Sequence, residues 1–407
     1  MLGWEKYRHW TILLFLFSAL GAAPLPAQDT ITIVQLDSFS GPGQDVGYRS
    51  LLGTQFAAEE INAAGGILGK KIKILPQDSE LQPDAAVRKA TTAIGEQGAK
   101  IILQFSSSAA SRALMDVAQK YKVIFVTLGA EAESLTGKDF NLYFFRTCFA
   151  TGNRSRAYAE FFKTKPWRKF YLLNRDDAFG HAVADDFKAV MTKEIPKSKI
   201  VGEDFPPLAT RDLGPYLAKI QSSEAEVIFT GNRGQDLEVL MKQGAQMGVP
   251  ARYATFFLDD PILLARLGQA AVGSLVNSPY LPTVETLQNT AFLEKWHKQH
   301  KDTQHPWPTS NIGYGYNGMM FLFAAIKKAQ SFNADAIIKA WEGMEYNGLL
   351  GKQIMRACDH QVLMPGPIAE IQAKSKLFSC PFPGRPLIIP MDKVAVPLAE
   401  AGNPRCK

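Results

Sequence analysis

At 407 residues the chain is long enough for two or three domains, which excludes a mini-protein that depends on disulfides for its core. Apolar residues make up 46% of it and charged residues 21%, ordinary globular usage that excludes wholesale disorder, collagen and coiled coil. The 45 basic and 39 acidic side chains leave a net charge of +6 and are interleaved rather than blocked, so no segment is dense enough in Lys and Arg to track a phosphate backbone, and nucleic acid is not an expected partner.

Lys6 and Arg8 precede an apolar run from Trp10 to Leu20, and Gly21 to Gln28 is rich in small residues and proline. This is the pattern of a secretory signal, residues 1–27, cleaved near Ala27. As a helix the apolar run would reach only about 16 Å against roughly 30 Å of hydrocarbon, too short for a membrane anchor. No cysteine lies near the exit, so no lipid anchor is expected, and the product should be free in an extracytoplasmic fluid. The amphipathic stretch from Ile312 to Ala329 carries Tyr314, Asn317 and Lys327 and reads as a core helix.

After the leader, short β-branched or aromatic runs alternate with stretches of helical period. Strands are predicted at Ile31–Leu36, Lys71–Leu75, Lys100–Phe105 and Val123–Leu128, with helices at Leu51–Asn62, Pro83–Gln97 and Ala109–Lys120 between them. A second series follows: strands at Lys169–Leu173, Lys199–Phe205, Glu226–Thr230 and Arg252–Phe257, with helices near Ala157–Phe162, Ala182–Lys193, Leu213–Ser222 and Gln235–Met247. Such alternation requires crossover helices on both faces of a mainly parallel sheet. The fold class is therefore α/β, two doubly wound Rossmann-like lobes in tandem.

Helices at Leu287–His300, Ile312–Gln330 and Ala334–Gly343 then come without intervening strands, followed by strand-like Gln353–Met364 and Ile368–Ala373. A helical block needs a sheet face to cover, so it is expected to return to the first lobe. The expected division is 28–148 plus 281–356 for one lobe and 149–280 plus 357–407 for the other, with a Pro-rich surface tail from Phe378.

Cys148, Cys358, Cys380 and Cys406 all survive cleavage, and an oxidising compartment favours pairing. Of the three connectivities, Cys358 with Cys380 is preferred, and Cys380 with Cys406 comes next. Their spacing does not resemble paired C-x-x-C zinc ligands, so no metal is expected.

Ligands of doubly wound sheets bind beyond the carboxyl ends of the strands. The first such loop, Ser38 to Gly47, has neither the phosphate-loop nor the dinucleotide spacing of glycines. After the third strand, Ser106, Ser107 and Ser108 open a helix; one hydroxyl suffices as a cap, leaving Ser107 or Ser108 to meet a ligand. Gly129 to Thr136 follows the fourth strand and carries Glu131, the acid nearer the strand end. In the second lobe Asn174 to Gly180 puts Phe179 beside a glycine, Gly231 to Asp236 brings Arg233 and Asp236, and Phe256 to Asp260 adds Phe257 and Asp259. An acid at a helix start also complements the helix dipole, the plainer reading of Asp236 and Asp260.

At these residues the chain resembles a family. Ser40-Gly41-Pro42 through Gly53, then Ala57 to Lys71 with its Asn62-Ala63-Ala64-Gly65-Gly66-Ile67-Leu68-Gly69-Lys70 string, and Asp78 are similar to the amino-terminal signature of type I periplasmic solute-binding proteins of the branched-chain amino-acid branch. The serine run, the Gly129–Thr136 loop, Asp177 to Gly180 and Met355 to Gln361 extend the resemblance over nearly the whole mature chain. It implies two lobes joined by three hinge crossings, a small-molecule ligand between them, and delivery to an ABC permease in the inner membrane. The resemblance implies no catalytic residue and no cofactor.

Glu131 stands where amino-acid binders of this family usually offer a small hydroxyl, Phe179 where a tyrosine is common, and Arg233 at another aromatic position. A carboxylate facing a ligand carboxylate is repulsive, so an ordinary α-amino acid in the usual pose is not expected. Glu131 meets a hydroxyl, amide or amine of the ligand, or pairs with Arg233 across the closed cleft; both readings stay open. A ligand-sensing subunit for a membrane receptor, or a carrier of an apolar hydroxylated ligand such as a lipid or sterol, is the alternative function. An enzyme would have to use His297, His300 and His305, which lack a carboxylate ligand set, and no G-x-S-x-G elbow supports hydrolysis.

Overall fold

The computed structural model describes residues 29–406, and the expected leader lies outside them. In the first half β1 (Thr30–Asp37), α1 (Gln44–Ala63), β2 (Lys71–Asp78), α2 (Pro83–Gly95), β3 (Ile101–Gln104), α3 (Ser108–Tyr121), β4 (Ile124–Thr127) and β5 (Phe144–Arg146) build a parallel sheet of order β2-β1-β3-β4-β5. In the second half α4 (Thr151–Lys163), β6 (Lys169–Leu173), α5 (Ala178–Glu194), β7 (Lys199–Asp204), α6 (Gly214–Ser222), β8 (Val227–Thr230), α7 (Gly234–Gln246), β9 (Arg252–Thr255), α8 (Pro261–Leu267) and β10 (Leu275–Asn277) repeat the plan. Its parallel core runs β10-β9-β8-β6-β7. β3, β4 and β8 are buried throughout and, apart from Gln104 at the end of β3, apolar or small on both parities, as a sheet covered on both faces demands.

The chain then crosses back. α9 (Leu287–His300), α10 (Ser310–Ala329) and α11 (Ala334–Trp341) lie with the first half, followed by a small antiparallel sheet of β11 (Glu345–Gly348), β12 (Gly351–Met355) and β13 (Val362–Leu363). α10 presses so closely on α1 that a Cβ at Gly53 would stand 2.1 Å from the carbonyl oxygen of Ile312, and one at Gly315 2.6 Å from that of Ser50. These two glycines let the helical block return to the first half. Between β13 and β14 (Gly366–Gln372) the chain crosses a third time, and β14 joins the second sheet antiparallel to β10.

The segment from Phe378 is not a surface tail. β15 (Phe382–Pro383) and β16 (Leu387–Ile389) pair with β14, and α12 (Met391–Val394) packs on α4. The last residues turn back to the first half, where Asn403 donates to the carbonyl of Thr136 (2.9 Å) and Arg405 pairs with Glu342 (2.8 Å). Backbone pairing and ion pairs hold what proline content alone suggested was loose. The disulfide expectation is corrected for the same reason: Cys358 is bonded to Cys406, not to Cys380. The returning segment delivers Cys406 to Cys358, whereas β14 carries the chain away into the second sheet before Cys380, which rests against the carbonyl of Pro261 (3.5 Å). Cys148 and Cys380 are free thiols.

Several boundaries also moved. β5 and β10, three residues each, are too short for periodicity to reveal. α1 starts at Gln44 rather than Leu51, and α4 starts at Thr151 rather than Ala157. The first turn of α4 is polar, Thr-Gly-Asn-Arg, yet entirely buried, because the two halves rather than a hydrophobic stripe cover it. None of the described helices is long and apolar enough to cross a membrane.

Candidate functional site

The loops after β1 and β3 are organised by Asp37, which is fully buried. Its Oδ1 accepts from the backbone N–H groups of Phe105 and Ser106 and from the Ser106 hydroxyl, all at 2.9 Å, and its Oδ2 accepts from Gln35 (2.8 Å). Burial pushes its carboxyl up to about 6 even though these bonds oppose the rise. Ser107 caps α3 by accepting from the N–H of Ala110 (3.1 Å). Ser108 accepts from the N–H of Ala132 at 3.3 Å. Both candidate serines therefore hold loops in place.

The loop after β4 is braced from beneath. Arg146, fully buried, donates to the carbonyl of Ala132 (2.6 Å), the Thr136 hydroxyl and the Gln361 side chain. A Cβ at Gly129 would lie 2.6 Å from the Phe105 ring, so glycine there lets that ring lie against the loop. The start of α4 closes the other side, the N–H of Thr151 donating to the carbonyl of Glu131 (3.1 Å) and that of Gly152 to Glu133 (2.7 Å).

Glu131 does not pair with Arg233. Its Oε1 accepts from Nη2 of Arg154 at 2.6 Å, the two side chains 7% and 2% exposed. Nη1 of Arg154 donates to the carbonyls of Phe256 (3.0 Å) and Asn277 (3.1 Å), and its guanidinium carbon lies 4.8 Å from the Phe256 ring and 5.2 Å from that of Phe257. Burial pushes Glu131 up against the pull of Arg154, Arg146 and Arg233. For Arg154 burial works against the charge, but Glu131, Tyr314 and Asp259 outweigh it and keep the guanidinium firmly protonated. Tyr314, on α10, is buried beside Arg154, and its phenol is pushed well up by burial. Among the described residues, three polar atoms of this group find no hydrogen-bond partner: Oε2 of Glu131, Nε of Arg154 and the Tyr314 hydroxyl.

Around this centre the second half supplies rings. Phe179 is half-buried, its ring 6.0 Å from that of Phe257, and the guanidinium carbon of Arg233, on an exposed residue, is 6.0 Å from the Phe257 ring. Phe105 meets Tyr314 edge-on at 5.8 Å from the first half. Asp259 is buried, and burial raises its carboxyl while Ser278, Ser310 and Arg154 pull it down. Asp236 is turned to the 207–210 segment, accepting from the N–H of Ala209 at 3.1 Å. Asp260 caps α8 through the N–H of Ile262 (2.8 Å) and reaches Arg49 of α1 at 2.7 Å, linking the halves.

The structure thus gathers Gly129, Glu131, Phe179, Arg233, Phe257 and Asp259 near the group and leaves Ser107, Ser108 and Asp236 in supporting bonds. Arg154, Tyr314, Phe105, Asp37 and Arg49 were not foreseen. One signal for Arg154 was available: a cation in the first turn of a helix opposes the helix dipole and needs another reason to be there. Two of the three histidines of the enzyme reading are otherwise engaged: His297 stacks on Trp307 (4.0 Å) and His300 on Trp296 (3.8 Å), and each has a ring nitrogen on a backbone carbonyl. Among the described residues the only close group of potential metal ligands is Cys358, Asp359 and Cys406, whose sulfurs are spent on the disulfide.

Side chains from two α/β halves thus converge at the carboxyl ends of their strands, and residues 30–376 match the family described as periplasmic binding protein. The chain belongs to that family. This periplasmic binding protein is 30% identical over 373 residues to a Leu/Ile/Val-binding protein homolog 4 of Brucella melitensis, covering 88% of each chain. Its structure resembles a leucine-, isoleucine-, valine-, threonine- and alanine-binding protein from Brucella ovis in closed conformation, with a TM-score of 0.82 and 27% identity over 91% of this chain and 97% of the other. In fold alone it also resembles a solute-binding protein of an ABC transporter from Rhodopseudomonas palustris solved with 3,4-dihydroxybenzoic acid, with a TM-score of 0.78 and 21% identity over 89% and 99% of the two chains. The family is one of transporter binding proteins, not enzymes.

Proposed function

We propose that this periplasmic binding protein, exported with its leader removed near Ala27, captures a small solute between its halves and hands it to an ABC permease in the inner membrane. One observation carries the reading: Glu131 and Tyr314 from the first half and Arg154 from the second meet in a buried group in which each keeps one unpartnered polar atom. Buried polar atoms are otherwise almost always satisfied. Glu131, Arg154, Tyr314, Phe179, Phe257, Arg233 and Asp259 contact the solute, while Gly129 lets the Glu131 loop pack. Only the closed form touches solute from both halves, so binding shifts the open–closed equilibrium and the three crossings absorb the rotation. The solute is not an α-amino acid held in the usual pose, because Glu131 repels its carboxylate and Arg154 has already given three hydrogen bonds away.

Small-angle scattering with a panel of metabolites tests this, together with native mass spectrometry of freshly purified protein to identify what co-purifies. One solute is expected to contract the particle and to bind with a single site by calorimetry. Identical profiles with every solute, and no co-purifying molecule, would refute the reading.

A further inference from the structure

We infer that a recess beside the first crossing, walled by both halves and by the terminal segment 395–406, is a second binding site that takes a small organic ammonium and favours the closed form when occupied. The site itself does not depend on a solute in the gap; only its effect on closure bears on that reading.

The recess measures about 410 Å³, the size of a small-molecule site. Glu133 of the first half, Gly152 and Asp186 of the second, and Glu400 of the terminal segment face it. That segment lies outside the stretch 30–376 that matches the family. It is closely seated, since a Cβ at Gly137 would stand 2.9 Å from the carbonyl oxygen of Ala401. Of the basic residues on the wall, Arg156 is spent on Glu400 and Glu194, and the exposed Lys138 forms no ion pair among the described residues. Glu133 and Asp186 are left without a cation. Oε1 of Glu133 accepts from the N–H of Gly152 (2.7 Å), where a Cβ would stand 2.6 Å from that oxygen. Burial, with the charge of Glu133 adding to it, pushes the Asp186 carboxyl up to about 6, and the Thr151 hydroxyl faces it and opposes the rise. Oδ2 of Asp186 and Oγ1 of Thr151, a residue 1% exposed, find no hydrogen-bond partner among the described residues.

Two neighbouring acceptors of like charge need a cation that brings its own donors. An ammonium has three N–H groups, one for Asp186, one for Glu133 and one for the Thr151 oxygen. A bare calcium ion would need roughly six or more oxygens, whereas the remaining wall includes Val190, Val396 and Ala401, against which a short alkyl chain can lie. The recess shares its supports with the solute group. Residues two apart on a helix do not face the same way, so the first turn of α4 turns Arg154 to Glu131 and presents Gly152 and Arg156 to the recess. The loop after β4 likewise sends Glu131 to one and Glu133 to the other. An ammonium held by Glu133 and Asp186 together fastens that loop of the first half to α5 of the second, in the arrangement in which Arg49 and Asp260 touch across the gap. Occupancy of the recess therefore biases closure, and closure tightens the recess by the same factor.

Calorimetry on the full mature protein with butylamine, butanol, butyrate and calcium chloride tests this. Butylamine should bind at one site at least about ten-fold more tightly than butanol or butyrate, and calcium should not bind. Asp186→Asn removes the charge, and Ala189→Leu fills the recess from an exposed helical position. Each should weaken butylamine at least about ten-fold, with thermal melting reporting that both variants are folded. In small-angle scattering, saturating butylamine should contract the wild-type particle and leave the Ala189→Leu particle unchanged. Butylamine no tighter than butanol, butylamine bound equally by wild type and both variants, or calcium bound in its place overturns the site. Tight binding without contraction overturns its link to closure. The import reading is tested separately by the Ala189→Leu protein, which should still contract on a solute that enters the gap.

Discussion

Asp37 and Glu131 are both buried carboxylates at the carboxyl end of the first sheet, and burial raises both. Asp37 has four donors on its two oxygens, three of them from the loop after β3. Glu131 shares one oxygen with an arginine from the other half and keeps the second open. Burial alone does not tell a structural acid from a binding acid; the hydrogen bonds left unmade do.

Arg154→Met should give the largest loss, about 3–5 kcal/mol in urea unfolding, because it leaves Glu131 buried without its cation. Next, Asp37→Ala strands the N–H groups of Phe105 and Ser106 and the Gln35 amide, and should cost about 3 kcal/mol. A merely local effect below 1 kcal/mol would show that Asp37 does not organise these loops. The pH dependence sharpens the contrast. Asp37 rises from 3.8 to about 6 on folding, so the native state holds this proton more tightly than the unfolded chain. Its contribution to stability is greatest below about pH 4 and is lost as pH climbs toward 6, by at most about 3 kcal/mol. Asp186, also pushed up to about 6 by burial, adds to the same limb. Asp37→Asn should therefore flatten only part of the slope in melting temperature between pH 4 and 6.5, and an unchanged slope would contradict the assignment. Glu131→Gln should be mildest for stability, about 2 kcal/mol, since it removes the anion beside Arg154 but glutamine keeps an oxygen for Nη2 and Arg154 keeps two carbonyls and two ring faces. Its solute affinity should nonetheless fall about ten-fold or more by calorimetry. The reverse pattern, lost stability with affinity intact, would make Glu131 the structural acid.

The alternation of apolar runs and helical periods made the two doubly wound halves legible, because parallel strands covered on both faces must be apolar on both parities. Glu131, Phe179, Arg233 and Phe257 were reachable because each follows a strand. Tyr314 was not, and Arg154 only through the oddity of a cation in the first turn of α4: each lies in a helix reaching the group from beside a crossing, and the three-dimensional path brings it to Glu131. The Cys358–Cys406 bond was hidden for a similar reason, since its partners meet after an excursion through the second sheet.

That excursion constrains how the molecule comes apart. Cys358 lies in the first half, the chain runs through β14, β16 and α12 of the second, and Cys406 returns to close a covalent ring with a sequence separation of 48 residues. The second sheet owns an edge strand inside a loop whose two ends are fastened to the neighbouring body. Melting either body separately would drag on that ring, so scanning calorimetry of the oxidised protein should record one cooperative endotherm, and thiol reduction should split it in two.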